Sequence, residues 1–199
     1  MVMRGINGLN AMKFLFIRHG KTKSNMERRY IGDPDEPLCQ EGVLEAADLA
    51  GKRILPPVAA LYCGPALRCR QTSDIMYPGI PYKLCTLGEI DFGIFKHKNA
   101  DELAGNKEYE KWLETYCMGD IPGGDSVTEY KTRCCGEFLR IAGESAPDIN
   151  ALIIHGGNIM AILERLAVPK RDFYDYHIPN CGAILCGYDN GTLYVECIY

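Results

Sequence analysis

The chain has 199 residues, 22 Lys+Arg against 26 Asp+Glu, a formal charge of −4, 47% apolar residues and 24% charged residues. That length suits one compact unit with its own core, and the apolar content with near-balanced charge excludes a disordered chain. An isoelectric point near 5.6 argues against general nucleic-acid binding, which clustered Lys and Arg drive, and no apolar run approaches the roughly 18 residues that would span a membrane.

The first eleven residues hold one charged side chain and several Gly and Asn, with no apolar stretch of the kind a secretory signal needs. They are read as an N-terminal extension outside the fold, and residues 12–199 as one domain. Phe14-Leu15-Phe16-Ile17 is a continuous apolar run that reads as a buried strand, stopped by Arg18-His19-Gly20. Val43, Leu44, Ala46, Ala47 and Leu49 then recur at helical spacing. Residues 59–63 read as a second strand ended by Gly64-Pro65, residues 67–77 as a helix stopped by Pro78-Gly79, and residues 82–87 as a third strand. Residues 101–117 and 126–145 are mostly helical in pattern, separated by Pro122-Gly123-Gly124. Residues 151–154 are the clearest strand, followed by a helix over 158–166. A hairpin around Asp189-Asn190-Gly191 closes the chain.

Strands alternating with helices imply a mostly parallel sheet covered on both faces, with the terminal hairpin placing one strand antiparallel. In such sheets ligands bind beyond the carboxyl ends of the strands. His19 follows the first strand, and His155-Gly156-Gly157 follows the 151–154 strand. Arg68 and Arg70 open the helix after the second strand, and Glu89 comes after the third. Each alone has an ordinary structural reading, but together they place two histidines, arginines and a carboxylate at strand ends. Residues 18–29 carry Arg18, Lys21, Lys23, Arg28 and Arg29 against Glu27 alone, a basic segment in an acidic chain. Arginine forks match phosphate oxygens two at a time.

Arg18-His19-Gly20-Lys21-Thr22 with Asn25 resembles the R-H-G-x-[ST]-x-x-N signature of the histidine phosphatase superfamily, the phosphoglycerate mutase-like fold. Residues 64–73 resemble its S-P-L-x-R-A-x-Q-T-A block, with Arg68 at the arginine. Leu87-Gly88-Glu89 with Asp91-Phe92-Gly93, then residues 122–126 and 155–157, follow in the family's order. The resemblance implies a three-layer α/β/α sandwich. It implies that His19 attacks phosphorus to form a phosphohistidine, its other ring nitrogen donating to a backbone carbonyl. Arg18, Arg68 and His155 would surround the phosphoryl group, with Thr22, Asn25 and the Gly156 amide binding it. Glu89 would give a proton to the leaving alcohol and take one from water. No metal and no cofactor are implied. The partner is a small-molecule phosphate ester, with no nucleic acid or membrane, and a homodimer is left open.

Ten cysteines show neither C-x-x-C spacing nor a zinc-type histidine partner and are read as reduced, in a cytoplasmic protein. Residues 89–121 are short and lack the H-Y-G-x-L element of the cofactor-dependent mutases. This favours the phosphatase branch, similar to α-ribazole phosphatases and the broad-specificity small phosphatases. The alternatives are a primed mutase or a non-catalytic phosphate-binding module; the first strand lacks the G-x-G-x-x-G of a dinucleotide site. Three departures from the family pattern stand out. Phe95-Lys96-His97, then Lys98, stand where the family continues with an aromatic, Glu and Gly, and the added positive charge suggests a more anionic substrate. Cys39 stands where a threonine caps a helix, and Gly64 replaces a serine. Residues after Gly93 and helices over 101–116, including Trp112, are expected to cover the site.

Overall fold

The structure, a computed structural model, describes residues 12–199; the N-terminal extension read over residues 1–11 lies outside them. Seven strands form one sheet in the order β3-β2-β4-β1-β6-β7-β5. They are β1 (Lys13–Arg18), β2 (Ala60–Cys63), β3 (Tyr82–Leu84), β4 (Ile149–Ile154), β5 (Ala167–Val168), β6 (Ala183–Asp189) and β7 (Thr192–Ile198). Among the described residues, strand β6 alone runs against its neighbours, β1 and β7; the other pairs are parallel. The β6–β7 turn has Asn190 and Gly191 both at positive φ, the geometry that Asn-Gly favours between two strands.

The helices are α1 (Lys23–Met26), α2 (Gln40–Lys52), α3 (Leu67–Met76), α4 (Lys107–Glu114), α5 (Val127–Glu144) and α6 (Gly156–Leu166). Side chains alternate across a strand, and β1 divides its apolar run accordingly. Phe14 and Phe16 join Phe138 and Ile141 of α5 and Ile159 and Ile162 of α6 on one face. Leu15 and Ile17 join Ala46 of α2 and Cys69 and Met76 of α3 on the other. An unbroken apolar run is what a strand buried on both sides requires. A third apolar cluster of Phe95, Leu103, Tyr109, Trp112, Ile121 and Val127 sits apart from the sheet.

Two local expectations are corrected. The third strand ends at Leu84 rather than at residue 87. Cys85 and Leu87 turn inward instead, onto the core under α5, and the Glu137 carboxylate accepts from the Thr86 amide at 2.8 Å. The segment leaves the sheet in order to carry Glu89 over its end. Of residues 101–117, expected to be mostly helical, only Lys107–Glu114 forms an α-helix. Gly105 at φ +78 breaks the pattern, and the Asn106 side chain then caps α4 by accepting from the Glu108 and Tyr109 amides. At the start of α2, Cys39 stands at the cap position as expected, its sulfur accepting from the Gly42 amide at 3.4 Å.

Candidate functional site

The pairing of β1 with β4 sets the site. Arg18 lies opposite Ile154 in a parallel register, so the next residue on each strand, His19 and His155, emerges side by side at the carboxyl edge. The His19 amide donates to the Ile154 carbonyl at 3.0 Å, and the two rings meet with centroids 5.1 Å apart and planes 70° apart. Both histidines are buried.

His19 Nδ1 lies 2.7 Å from the Gly20 carbonyl oxygen. A carbonyl can only accept, so Nδ1 carries the proton and Nε2 keeps its lone pair. Burial, with His155 and the Arg68 guanidinium beside it, pushes the His19 pKa well below its usual value, so the ring is neutral. Burial, Arg68 and Arg18 do the same to His155. His155 Nδ1 lies between an acceptor, Glu89 Oε2 at 3.3 Å, and a donor, Arg68 Nη2 at 3.4 Å. Its Nε2 is 3.8 Å from the Cys69 sulfur.

Arg68 is 1% exposed and donates through Nη1 to the Asp33 carbonyl at 3.0 Å. Arg18 donates through Nη1 to the Ile178 carbonyl at 2.8 Å, with His177 Nε2 3.3 Å away. The Nε of each arginine is buried without a hydrogen-bond partner among the described residues. Two buried donors, two cationic forks and the start of α6 beside them make a place for an anion. A Cβ at Gly157 would sit 2.8 Å from the Tyr130 hydroxyl and 3.4 Å from Glu89 Oε1, so the absence of a side chain there lets the helix start approach the carboxylate. At Gly64 a Cβ would sit 2.9 Å from the Leu87 carbonyl, which accounts for glycine where the family pattern has serine.

The other expected residues fall into place unequally. Asn25 lines the cavity above Arg18. Its Oδ1 accepts from the Thr22 amide, the Thr22 hydroxyl and Asn180 Nδ2, which turns its NH2 group away from them. Thr22 is fully buried and its hydroxyl is spent on Asn25; it does not line the cavity. Lys96 pairs with Asp91 at 2.7 Å, in an adjoining depression that is lined also by Arg68 and Asp33 and shares Ile31, Glu89 and Ile90 with the cavity above Arg18. His97 and Lys98 are exposed and line neither cavity. Trp112 both packs in the third cluster and lines the cavity.

Several contributors were not anticipated. Asn158 accepts from the His155 amide at 3.1 Å, and its Nδ2 lies 2.9 Å from the Gly88 carbonyl and 2.8 Å from the Tyr130 hydroxyl. It thereby ties the β4–α6 turn to the strand of chain that carries Glu89. Thr72 accepts from the Gly20 amide, and Asn180 donates to the His19 carbonyl. The helical signature of 158–166 hid Asn158, because a polar residue in a first turn reads as a cap and nothing more. His19, Glu89 and His155 also bring one donor atom each within 4.8 Å of one another, a set that by distance could take a cation. Two guanidinium groups at the same spot favour an anion instead.

The cavity leading to Arg18, Glu89 and Gly156 has a volume of about 360 Å³. Comparisons with known proteins agree with this arrangement. Residues 14–199 match the model of the histidine phosphatase superfamily (branch 1). A Cronobacter sakazakii protein named "Probable phosphoglycerate mutase GpmB" is 26% identical over 159 residues, covering 76% of this chain and 73% of that protein. The alpha-ribazole phosphatase of Shigella flexneri shares the fold, with a TM-score of 0.83, 16% identity, and coverage of 94% of this chain and 96% of that one. A phosphoglycerate mutase from Thermus thermophilus superposes with a TM-score of 0.70 and 28% identity, covering 94% and 98%. No helix among the described residues is long and apolar enough to cross a membrane. With the motif order, the sheet and the paired histidines in agreement with a family model over nearly the whole chain, this protein belongs to the histidine phosphatase superfamily.

Proposed function

We propose that this chain is a metal-independent phosphatase that hydrolyses a small-molecule phosphomonoester through a phosphohistidine on His19. Membership of the superfamily supports phosphatase or mutase chemistry. The observation that carries the finer reading is the His19 ring: Nδ1–H is committed to the Gly20 carbonyl at 2.7 Å, which leaves Nε2 as a neutral nucleophile in a site with the buried Arg68 and the half-buried Arg18.

In the first step Nε2 attacks phosphorus as the bond from phosphorus to the alcohol oxygen breaks, and Glu89 gives that oxygen its proton. In the second, water attacks phosphorus while Glu89 takes its proton. The N–P bond breaks, and phosphate leaves with His19 restored. Arg18, Arg68, His155, the Asn25 NH2 group and the Gly156 amide hold the phosphoryl oxygens. Phosphoryl transfer needs mainly positioning and charge stabilisation, which this set supplies. Thr22 acts one step removed, by orienting Asn25. Hydrolysis is preferred over a primed mutase because the cavity's other cation, Arg29, is already bound by Glu102 and Glu27.

The test is p-nitrophenyl phosphate hydrolysis in excess EDTA, with the natural protein and His19→Ala. Turnover in EDTA that disappears in the variant is the expected result. Equal turnover in both overturns the assignment of His19, and activity that requires a bisphosphate primer favours the mutase.

A further inference from the structure

We infer that the alcohol carried by the substrate has an uncharged aromatic or bulky apolar body and no second anionic group. The inference rests on the phosphomonoester reading and names the substrate class for that site. Beyond Arg18, Glu89 and Gly156, the cavity wall is built from Tyr30, Phe92, Trp112, Phe173, Tyr174 and Met160. These residues come from separate stretches of chain, so the apolar wall is not the face of a single helix. Tyr30 is in ring contact with two other residues of the wall. Its ring lies 4.8 Å from Phe92 and 5.8 Å from Trp112, centroid to centroid, and its hydroxyl meets that of Tyr109 at 2.9 Å. Phe173 and Tyr174 stack edge-on at 5.1 Å across from them. Tyr174 is 53% exposed, an aromatic surface available to a ligand at the mouth.

The charges around the cavity point the same way. Apart from Arg18, the only guanidinium or ammonium group in the lining, among the described residues, is Arg29. Arg29 Nη2 donates to Glu102 Oε1 at 2.8 Å, and its Nε donates to Glu27 Oε2 at 2.6 Å. With two carboxylates on one guanidinium, its positive charge is offset within the protein, and there is no net cation at that point to meet a carboxylate or a second phosphate of the substrate. His177 also lines the cavity, and burial with Arg18 alongside lowers its pKa, so it adds no cation at neutral pH. Of the 96–98 segment, the expected source of positive charge, Lys96 lines the adjoining depression beside Arg68 and Glu89, where Asp91 pairs with it at 2.7 Å, and Lys98 lines neither. A volume of about 360 Å³ leaves room for more than a phosphate, within the range of small-molecule pockets. Aromatic rings would meet an aromatic body edge-on or offset.

The experiment compares two primary-alcohol monoesters, so that leaving-group reactivity is matched: 2-(2-naphthyl)ethyl phosphate and 3-phosphoglycerate. The expected kcat/KM ratio is at least about tenfold in favour of the naphthyl ester, the scale on which apolar pockets discriminate. Tyr174→Ala, at an exposed position, should cut that ratio about threefold or more. A ratio of one or below in the natural protein overturns the inference, as does a ratio that Tyr174→Ala leaves unchanged. Binding is measured in parallel by Trp112 fluorescence, with 2-naphthylmethylphosphonate and phosphonoacetate, neither of which can be hydrolysed. Tighter binding of the aromatic phosphonate upholds the inference even where no ester turns over, a result that would instead remove the hydrolase reading. Equal binding of the two sinks it even where p-nitrophenyl phosphate hydrolysis proceeds.

Discussion

His19 and His155 stand ring to ring, 5.1 Å between centroids, because Arg18 and Ile154 are partners in a parallel ladder. Neither helix nor loop packing is needed to bring them together; the register alone does so. A slip of one residue would turn each side chain to the opposite face of the sheet. The two arginines reach the same point from different elements, Arg18 from the end of β1 and Arg68 from the first turn of α3.

Arg68→Ala should lower kcat/KM for p-nitrophenyl phosphate on the order of 100-fold or more, as expected for loss of a buried transition-state donor. Arg68→Lys should recover little of this, because an ammonium group cannot reproduce the fork that now reaches the Asp33 carbonyl and the His155 side. Steady-state kinetics with a thermal melt on each variant separates this from unfolding.

Cys69 sits where the family block has alanine, with its sulfur 3.8 Å from His155 Nε2. Burial pushes its thiol pKa well above the usual value, so the sulfur keeps its proton and can donate. By donating to Nε2 the thiol would hold the ring proton on Nδ1, where the Glu89 carboxylate lies 3.3 Å away to accept it. Cys69→Ala should therefore give a mixture of tautomers in the nitrogen-15 shifts of His155 and a loss of about 2- to 10-fold in kcat/KM, the worth of one neutral hydrogen bond. Cys69→Ser should restore the single tautomer.

Stability should fall as the solution is acidified through the ordinary histidine range. His19 and His155 have pKa values well below 6.5 in the folded state, whereas the unfolded chain takes up protons near pH 6.5. Below that point the unfolded state binds more protons, so unfolding becomes easier as pH drops. Each such histidine adds a slope approaching about 1.4 kcal/mol per pH unit. Urea midpoints between pH 7.5 and 5 should decline for the natural protein and decline less steeply for His155→Gln.

Lys96→Gln should leave discrimination between anionic and neutral-tailed esters unchanged, since Asp91 pairs with Lys96 and the lysine does not line the aromatic cavity beside Arg18. A selective rise in KM for the more anionic ester would contradict that placement. Asn158→Ala, by contrast, should reduce kcat by tenfold or more on the order expected when a positioning group fails, because it releases the Gly88 carbonyl that precedes Glu89.

The sequence by itself determined the layered architecture and named most of the candidate site. Apolar runs such as 14–17 and 151–154 can only be strands buried on both faces, and His19, Arg68, Glu89 and His155 sit at positions where such strands end. Tertiary structure decided what those residues meet. The tie from Asn158 to Gly88 spans 70 positions of chain, and no local pattern encodes a contact of that kind. The fate of the charges was equally hidden. Lys96 and Arg29 are cations in the sequence, yet Asp91 and Glu102 bind them, and only the packing of the 91–102 loop reveals that. The same packing turns Tyr30, Phe92 and Trp112 toward one cavity, since side chains from distant segments share a wall only once the sheet has fixed where each segment crosses it.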